Sequence, residues 1–142
     1  KIRYLAIRNT DVTSILSVKS MPIEELYISN TDVSDLSPLD GKKIRVLHAE
    51  GCPITTISSL ANCPISELNI KNTAIKDISA LMDMKLVSLN ISGTRVTDLE
   101  PLERTKLRNL TFSNYRPRRD DEYLRGIRTL VMLNGRVYRR RN

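Results

Sequence analysis

Few side chains in this 142-residue chain could carry acid–base chemistry. Its single histidine, His48, stands two positions before Glu50, and in a strand that spacing places both side chains on one face. A general base also needs a nucleophile or a positioned water within reach, and no motif near the pair supplies either. The sequence has neither a glycine-rich phosphate loop nor a cluster of cysteines and histidines. We therefore predict no catalytic residue, no metal and no cofactor, and we expect a protein that is not an enzyme.

The two cysteines and the apolar segments exclude two further classes. Cys52 and Cys63 are too few for a disulfide framework and lack the spacing of a metal site, so we expect both to be structural. No apolar run approaches the roughly 20 residues that a membrane helix needs. The sequence therefore predicts no membrane span in this chain.

Positive charge is concentrated towards the C-terminus. Residues 1–103 contain 11 basic and 13 acidic side chains, whereas residues 104–142 contain 12 basic and 3 acidic ones. Arginine, which dominates this end, binds phosphate or carboxylate through paired hydrogen bonds. Binding of a nucleic acid or another anionic partner is therefore one alternative function. Its candidate residues are Arg116, Arg118, Arg119, Arg125 and Arg128, with Arg139, Arg140 and Arg141 in a basic tail. Three acidic residues at 120–122 interrupt the run and no known nucleic-acid-binding module is present, so we rank this alternative second.

A repeat of 21 residues runs through most of the chain without insertion or deletion. Its first position is held by Ile2, Ile23, Ile44, Ile65, Leu86 and Leu107. Apolar residues recur at +3, +5, +10, +13 and +16 from that position, and Thr or Cys fills +8 in the first five copies. The sixth copy keeps the first half of the pattern and departs from it at Pro117.

The pattern L-x-x-L-x-L-x-x-(T/C)-x-V resembles the leucine-rich repeat, and it covers residues 2 to about 116. The phrase LSPL at 36–39 and the short repeat are most similar to bacterial short-repeat proteins, including repeat regions of serine/threonine-kinase-like receptors. The segment DDEYLRGIRTLVMLNGR at 120–136 is similar to the closing segment of such arrays. The resemblance implies an α/β leucine-rich-repeat solenoid with a parallel concave sheet, a convex side of turns and short 3₁₀ segments, and a C-terminal cap.

The residue types of the repeat favour the same architecture. The alternation over +3 and +5 is typical of a short strand with one inward face, and strands at a fixed interval stack as a parallel ladder about 4.8 Å apart. Only Asn and Gly occur at +7, which predicts a turn with positive φ. We expect the inward Thr at +8 to bond the backbone of a neighbouring coil, with Cys52 as its small substitute. We also expect the serine at +14, as in Ser37-Pro38, to cap a short helix.

We divide the chain into leucine-rich repeats over residues 1–116, about six repeats that are incomplete at the N-terminus, and a cap with a basic tail over residues 117–142. One repeat buries too little apolar surface to fold alone, so the last coil needs a cover. We assign this cover to a helix at Asp120–Arg128, an edge strand at Thr129–Leu133 and a turn at Asn134-Gly135. Nothing covers Ile2 at the other end, so we expect further repeats or a domain before Lys1 in the parent protein.

The outward residues at +2, +4 and +6 of each repeat form what we call the concave strand face. Its residues are varied and polar, and aromatic side chains lie towards its N-terminal end, which is typical of a recognition surface in repeat proteins. The candidate contact residues are Tyr4, Arg8, Glu25, Tyr27, His48, Glu50, Glu67, Asn69, Lys71 and Asn90. Of these, Tyr4, Tyr27 and His48 are the strongest, because tyrosine offers contact area and a hydrogen bond at small entropic cost.

The sequence therefore predicts a non-enzymatic module that recognises a protein, in the sensing arm of a larger signalling protein. The partner itself is not identified by any motif. Two alternatives stay open, namely an anionic partner at the arginine-rich end and a passive spacer.

Overall fold

Eight strands form one sheet in which neighbours along the chain are also neighbours in space. The computed structural model describes residues 1–139. The strands are β1 (Tyr4–Ala6), β2 (Glu25–Tyr27), β3 (Val46–His48), β4 (Glu67–Asn69), β5 (Ser88–Asn90), β6 (Asn109–Thr111), β7 (Met132–Leu133) and β8 (Arg136–Val137). Strands β1 to β7 pair in parallel, and β8 pairs antiparallel with β7. The predicted parallel solenoid is confirmed.

The pairing register of the strands reproduces the 21-residue repeat. Leu26 pairs with Leu5 on one side and with Leu47 on the other, and the same column continues to Leu110. A slip of one residue would turn this whole column towards solvent, so the buried leucines fix the register. At the C-terminal end Leu110 pairs with Leu133, beyond the helix of the cap.

Five 3₁₀ helices form the return side of the solenoid. They span Leu16–Ser20, Ser37–Leu39, Ser58–Leu60, Ser79–Leu81 and Glu100–Leu102. Between each strand and the following 3₁₀ helix the chain turns at a residue with positive φ, as predicted for the +7 position. These residues are Asn9, Asn30, Gly51, Asn72 and Gly93. Asn114 in the sixth copy does not adopt a positive φ, because the chain there leaves the repeat and leads into the cap.

The interior is aliphatic, and the two cysteines belong to it. Both are free and buried. The Cys52 thiol donates to the carbonyl of Ile28 at 3.0 Å, and the Cys63 thiol donates to the carbonyl of Leu39 at 3.1 Å. Each thiol thereby ties its own coil to the preceding one, and burial raises the pKa of Cys63 above its ordinary value of 9.0. The predicted structural role of both cysteines is confirmed.

The threonines at +8 donate to a backbone carbonyl of their own coil, so the predicted bond to the backbone of a neighbouring coil was wrong. The Thr31 hydroxyl donates to the carbonyl of Ile28, three residues earlier, at 2.8 Å. Thr73 and Thr94 make the same bond in their own coils. The positive-φ turn just before the threonine folds the chain back, which brings this nearby carbonyl within reach of the hydroxyl. Cys52, which substitutes for threonine in this column, is the member that reaches the preceding coil.

The predicted serine caps were also wrong, because the capping side chain lies two positions earlier. The Asp35 carboxylate accepts the backbone N–H of Ser37 at 2.8 Å. The same bond is made in the next three repeats by Thr56, Asp77 and Asp98. The serine is already the first residue of the 3₁₀ helix, so its side chain stands past the unpaired N–H groups. An acceptor just before the helix can reach them.

The cap begins with helix α1 (Pro117–Gly126), which covers the last coil. The helix starts three residues before the predicted Asp120–Arg128 because Pro117, with its fixed φ and missing N–H, fits the first turn. Leu124 and Ile127 are fully buried, and Tyr123 packs beside them.

The edge strand of the cap is shorter than the predicted Thr129–Leu133, since only Met132–Leu133 pairs with β6. It continues into a hairpin with β8 through Asn134 and Gly135, both with positive φ. The basic-tail residues Arg140 and Arg141 lie outside the described residues.

Candidate functional site

The strand ladder holds the outward residues of the concave strand face in straight columns. In the +4 column, Ala6, Tyr27, His48, Asn69 and Asn90 pair in register from β1 to β5. The backbone bonds continue beyond the strands, since the N–H of Asn30 donates to the carbonyl of Glu50 at 2.7 Å. The +6 residues are therefore held by the same ladder as the strands.

Three rings form a continuous aromatic row at the N-terminal end of this face. The ring centroids of Tyr4 and Tyr27 are 5.1 Å apart and those of Tyr27 and His48 are 4.8 Å apart, the latter in an edge-to-face arrangement. The Arg8 guanidinium carbon lies 4.3 Å from the centroid of the Tyr27 ring, which is a cation–π contact. Tyr4 is exposed, and Tyr27 and His48 are partly exposed. The three strongest candidates from the sequence thus lie side by side.

Charged and amide side chains continue the row towards the middle of the face. His48 Nε2 lies 2.7 Å from the Glu67 carboxylate. The Glu50 carboxylate lies 3.2 Å from Lys71 Nζ and accepts a hydrogen bond from the Asn69 amide at 3.4 Å. His48 and Glu50 each bond a residue of the next coil, so the acid–base pair considered from their spacing is not formed.

Three of these contacts join residues that are 19 positions apart in the sequence. Such a pair is one coil onward and two residues back, which makes the two residues diagonal neighbours across the ladder and places them within reach of long side chains. The pairs are Arg8 with Tyr27, His48 with Glu67, and Glu50 with Asn69. The columns follow from the 21-residue repeat, whereas these diagonal pairs were not predicted from the sequence. A search for complementary residue types 19 positions apart would have found them.

Tyr27 is the centre of the aromatic row, and its hydroxyl is held by Glu25. Burial and the hydrogen bond to Glu25 raise the pKa of Tyr27 above its ordinary value of 10.0. At neutral pH the hydroxyl is therefore protonated, and it donates to the Glu25 carboxylate at 3.2 Å. Because Arg8 stacks on the ring, a cation and an anion both fix the orientation of this one side chain.

Asn90, at the other end of the predicted set, makes its contact within its own coil. Its side-chain oxygen accepts the backbone N–H of Ser92 at 3.0 Å and the Ser92 hydroxyl at 2.6 Å. The acceptor of Asn90 is therefore already occupied by local contacts.

The arginines predicted for an anionic partner do not form one group. The guanidinium of Arg119 bonds the fully buried carboxylate of Asp120 and the carbonyl of Asn114. This bonding to Asp120 raises the pKa of Arg119, and the charge of Arg119 is balanced inside the cap. The exposed members of the predicted set are Arg116, Arg118, Arg125 and Arg128.

Within residues 1–139, no helix is both long enough and apolar enough to span a bilayer. No protein-family model matches this sequence, and neither does any curated protein.

Solved structures do match. An internalin (inlF) of Listeria monocytogenes aligns with a TM-score of 0.77 and 24% identity, over 87% of this chain and 38% of its own length. An internalin C2 (inlC2) of the same species aligns with a TM-score of 0.56 and 22% identity, over 92% of this chain and 70% of its own. The chain thus spans well under half the length of the first of these proteins. Both are bacterial leucine-rich repeat proteins, as the resemblance in the sequence predicted. The likeness shows that this chain has the leucine-rich-repeat fold.

Proposed function

We propose that this chain is a non-enzymatic recognition module that binds a protein through the concave strand face. The observation that carries the proposal is the aromatic row of Tyr4, Tyr27 and His48, with Arg8 stacked on the middle ring. Tyrosine and arginine are enriched among the residues that dominate binding energy at interfaces. Because strands and side-chain bonds already hold this group, little conformational entropy is lost when a partner binds.

The charges around the row indicate the chemistry of the partner. Three carboxylates, those of Glu25, Glu50 and Glu67, lie on this face with two cations, Arg8 and Lys71. We therefore expect a partner that places an apolar or aromatic group against the rings and a basic group near the carboxylates.

The double variant Tyr27→Ala, His48→Ala tests the proposal. A photo-reactive residue at position 6, which pairs in register with Tyr27, would crosslink a protein bound on this face. We expect one dominant crosslinked product in an extract of the source cells. In the double variant this product should decrease on the order of 30-fold or more, as for the loss of an interface hot spot.

The matched control is Thr55→Ala, Lys76→Ala, which removes two exposed side chains from the turns outside the strand face. Thermal unfolding should show that both double variants fold. A crosslinked product that persists in the Tyr27, His48 variant, or that is lost equally in the control, would contradict the proposal.

The resemblance to repeat regions of kinase-like receptors supports a finer hypothesis, in which the module is the sensing arm of a larger signalling protein. The sequence of the parent gene tests it. A parent chain without any signalling domain would exclude this role and leave protein recognition untouched.

Binding of a polyanion through the cap is the second candidate function. Its support is the exposure of Arg118 and Arg125, which stand seven residues apart and therefore share one face of α1. Glu122 lies between them on that face and weakens the positive field, which is why we rank this candidate second. Retardation of random duplex DNA should weaken steeply between about 50 and 200 mM salt and disappear in Arg118→Gln, Arg125→Gln. No retardation at the lower salt would exclude it.

A further inference from the structure

A line of positive charge runs along the side of the solenoid where the chain enters each strand. We call it the basic edge and define it as the residues one before and one after the first position of each repeat. Its members are Lys1, Arg3, Pro22, Glu24, Lys43, Arg45, Pro64, Ser66, Lys85, Val87, Lys106 and Arg108. Seven of these are basic and one is acidic, although residues 1–103 as a whole carry more acidic than basic side chains. The basic edge is thus net positive, whereas the remaining residues of the repeats are net negative.

Backbone hydrogen bonds hold half of the basic edge in one continuous line. The N–H of Glu24 donates to the carbonyl of Arg3 at 2.8 Å, and the N–H of Arg45 donates to the carbonyl of Glu24 at 2.7 Å. The same bond joins each next coil to the last, at 2.8 to 2.9 Å, through Ser66, Val87, Arg108 and finally Val131 of the cap. Six steps of about 4.8 Å give a line on the order of 30 Å long.

Most cations of the basic edge face solvent. Arg3 is paired with Glu24 at 2.8 Å. The five cations of the basic edge from the third repeat onwards are exposed. In the part of the chain that the structure describes, none of them has a carboxylate within 4.0 Å. They are Lys43, Arg45, Lys85, Lys106 and Arg108. Two acidic side chains, Asp40 and Asp83, line the neighbouring grooves beside Lys43 and Lys85 and reduce the local charge without pairing with them.

Exposed apolar side chains alternate with these cations. Val87 and Val131, which are 40% and 43% exposed, flank Arg108 in the hydrogen-bonded line. Met82, which is 49% exposed, lines the same groove as Lys85. Three of the seven large apolar side chains exposed within residues 1–139 therefore lie on or beside the basic edge. This grouping calls for a partner that accepts both charge and apolar surface.

We propose that the basic edge docks on a lipid bilayer surface that carries anionic headgroups. Lysine and arginine near such a surface are attracted to the headgroups, and neighbouring apolar side chains enter the boundary between headgroups and acyl chains. A nucleic acid would account for the charge but not for Met82, Val87 and Val131. Single-stranded nucleic acid is bound by stacking on aromatic side chains, and no residue of the basic edge is aromatic. The edge shares no residue with the candidate set on the concave strand face, so this function is independent of protein recognition there.

Sedimentation of the full chain with lipid vesicles tests the proposal. We expect binding to phosphatidylcholine vesicles that contain about 30% phosphatidylserine, and none to phosphatidylcholine alone. In the variant Arg45→Gln, Lys85→Gln, Arg108→Gln the partition coefficient should fall on the order of a hundred-fold, since each cation contributes about five-fold. The matched control Lys76→Gln, Arg95→Gln, Arg136→Gln removes the same charge from exposed positions elsewhere and should lose much less.

The apolar side chains supply a second, independent arm of the test. Met82→Ser, Val87→Ser leaves the charge unchanged and should weaken partition several-fold, while any retardation of duplex DNA stays the same. Equal loss in the basic-edge and control triple variants would overturn the proposal, because it would mean that net charge alone binds the vesicles. Failure to bind anionic vesicles at low salt would also overturn it, as would DNA binding that the basic-edge variant loses without any vesicle binding.

Discussion

The inward and outward faces of one strand ladder differ sharply in composition although they share a backbone. In the inward +3 column every residue is leucine, and the members of β2 to β6 are at most 1% exposed. In the adjacent outward +4 column the residues are alanine, tyrosine, histidine, asparagine, asparagine and threonine. Parallel stacking at a fixed interval gives the inward residues nearly identical surroundings, so the same side chain fits each time. Solvent imposes no such condition outward, so the residues of the outward columns can differ from one repeat to the next.

Adjacent residues of β3 give the largest expected contrast between the two faces. Leu47→Ala should lower the free energy of unfolding by about 2–5 kcal/mol, because it removes buried methyl groups and leaves a cavity between coils. His48→Ala removes a partly exposed hydrogen bond with Glu67 and should cost about 1 kcal/mol. Urea unfolding of both variants at one temperature measures the difference. A His48→Ala cost equal to that of Leu47→Ala would mean that the outward row stabilises the fold rather than serving recognition.

Two glycines at positive φ sharpen the comparison at the turns. Gly51 and Gly41 have φ of +70° and +67°, so a side chain at either costs about 1–2 kcal/mol of backbone strain. A Cβ on Gly51 would also lie 2.5 Å from the side-chain oxygen of Asn30, whereas one on Gly41 would meet nothing within 4 Å. The Asn30 amide donates to Asn9 at 2.9 Å, and moving it would weaken that bond.

We therefore expect Gly51→Ala to destabilise the protein more than Gly41→Ala does, by roughly 1 kcal/mol, the value of one hydrogen bond. Chemical denaturation of both variants measures the difference. In an Asn30→Gly background the excess should disappear. Equal costs for the two glycine variants would show that only the backbone conformation, and not contact between coils, selects glycine at position 51.

Features that depend on one residue type at a fixed interval could be predicted from the sequence. The register of β1 to β6 and the positive φ at Asn9, Asn30 and Gly51 follow from this kind of pattern. Within the repeats, the predictions of hydrogen-bond partners were wrong, and these partners lie within two or three residues of each other. The hydroxyl of Thr31 bonds a carbonyl three residues earlier, and only the backbone geometry of the bend brings that carbonyl within reach.

The concave strand face could be predicted only as a set of columns. The contacts between Arg8 and Tyr27 and between His48 and Glu67 depend on the length and orientation of side chains from adjacent coils, which a column does not specify. The basic edge was missed for another reason. Its charges are spread over residues 1–108 and are cancelled in any sum along the sequence by acidic residues on other faces. Which of these residues contact a partner stays a prediction.

The smallest expected effect concerns the turns that lead into the 3₁₀ helices, where the accepting side chain is an aspartate in some repeats and a threonine in another. Hydrogen bonds from the backbone N–H and hydroxyl of Ser37 lower the pKa of Asp35 below its ordinary value of 3.8, and Ser79 does the same for Asp77. A pKa that is lower in the folded state contributes stability above pH 3.8, and this contribution is lost as the pH falls through the folded-state pKa. Asp35→Asn, Asp77→Asn should therefore be less stable than the wild type at pH 7, and the difference should vanish towards about pH 2.

Thr56 makes the equivalent bond with a hydroxyl that does not titrate, so the third repeat provides the converse test. Thr56→Asp should add a carboxylate that stabilises the folded protein at neutral pH, as Asp35 does. This stabilisation should be lost in acid. Thermal unfolding of the wild type and the variants between about pH 2 and 7 measures both effects. If the pH profile of the double asparagine variant runs parallel to that of the wild type, the two carboxylates contribute nothing through ionisation. The helix starts would then depend on the acceptor oxygen alone, and the turns would be as insensitive to charge as the leucine column beneath them.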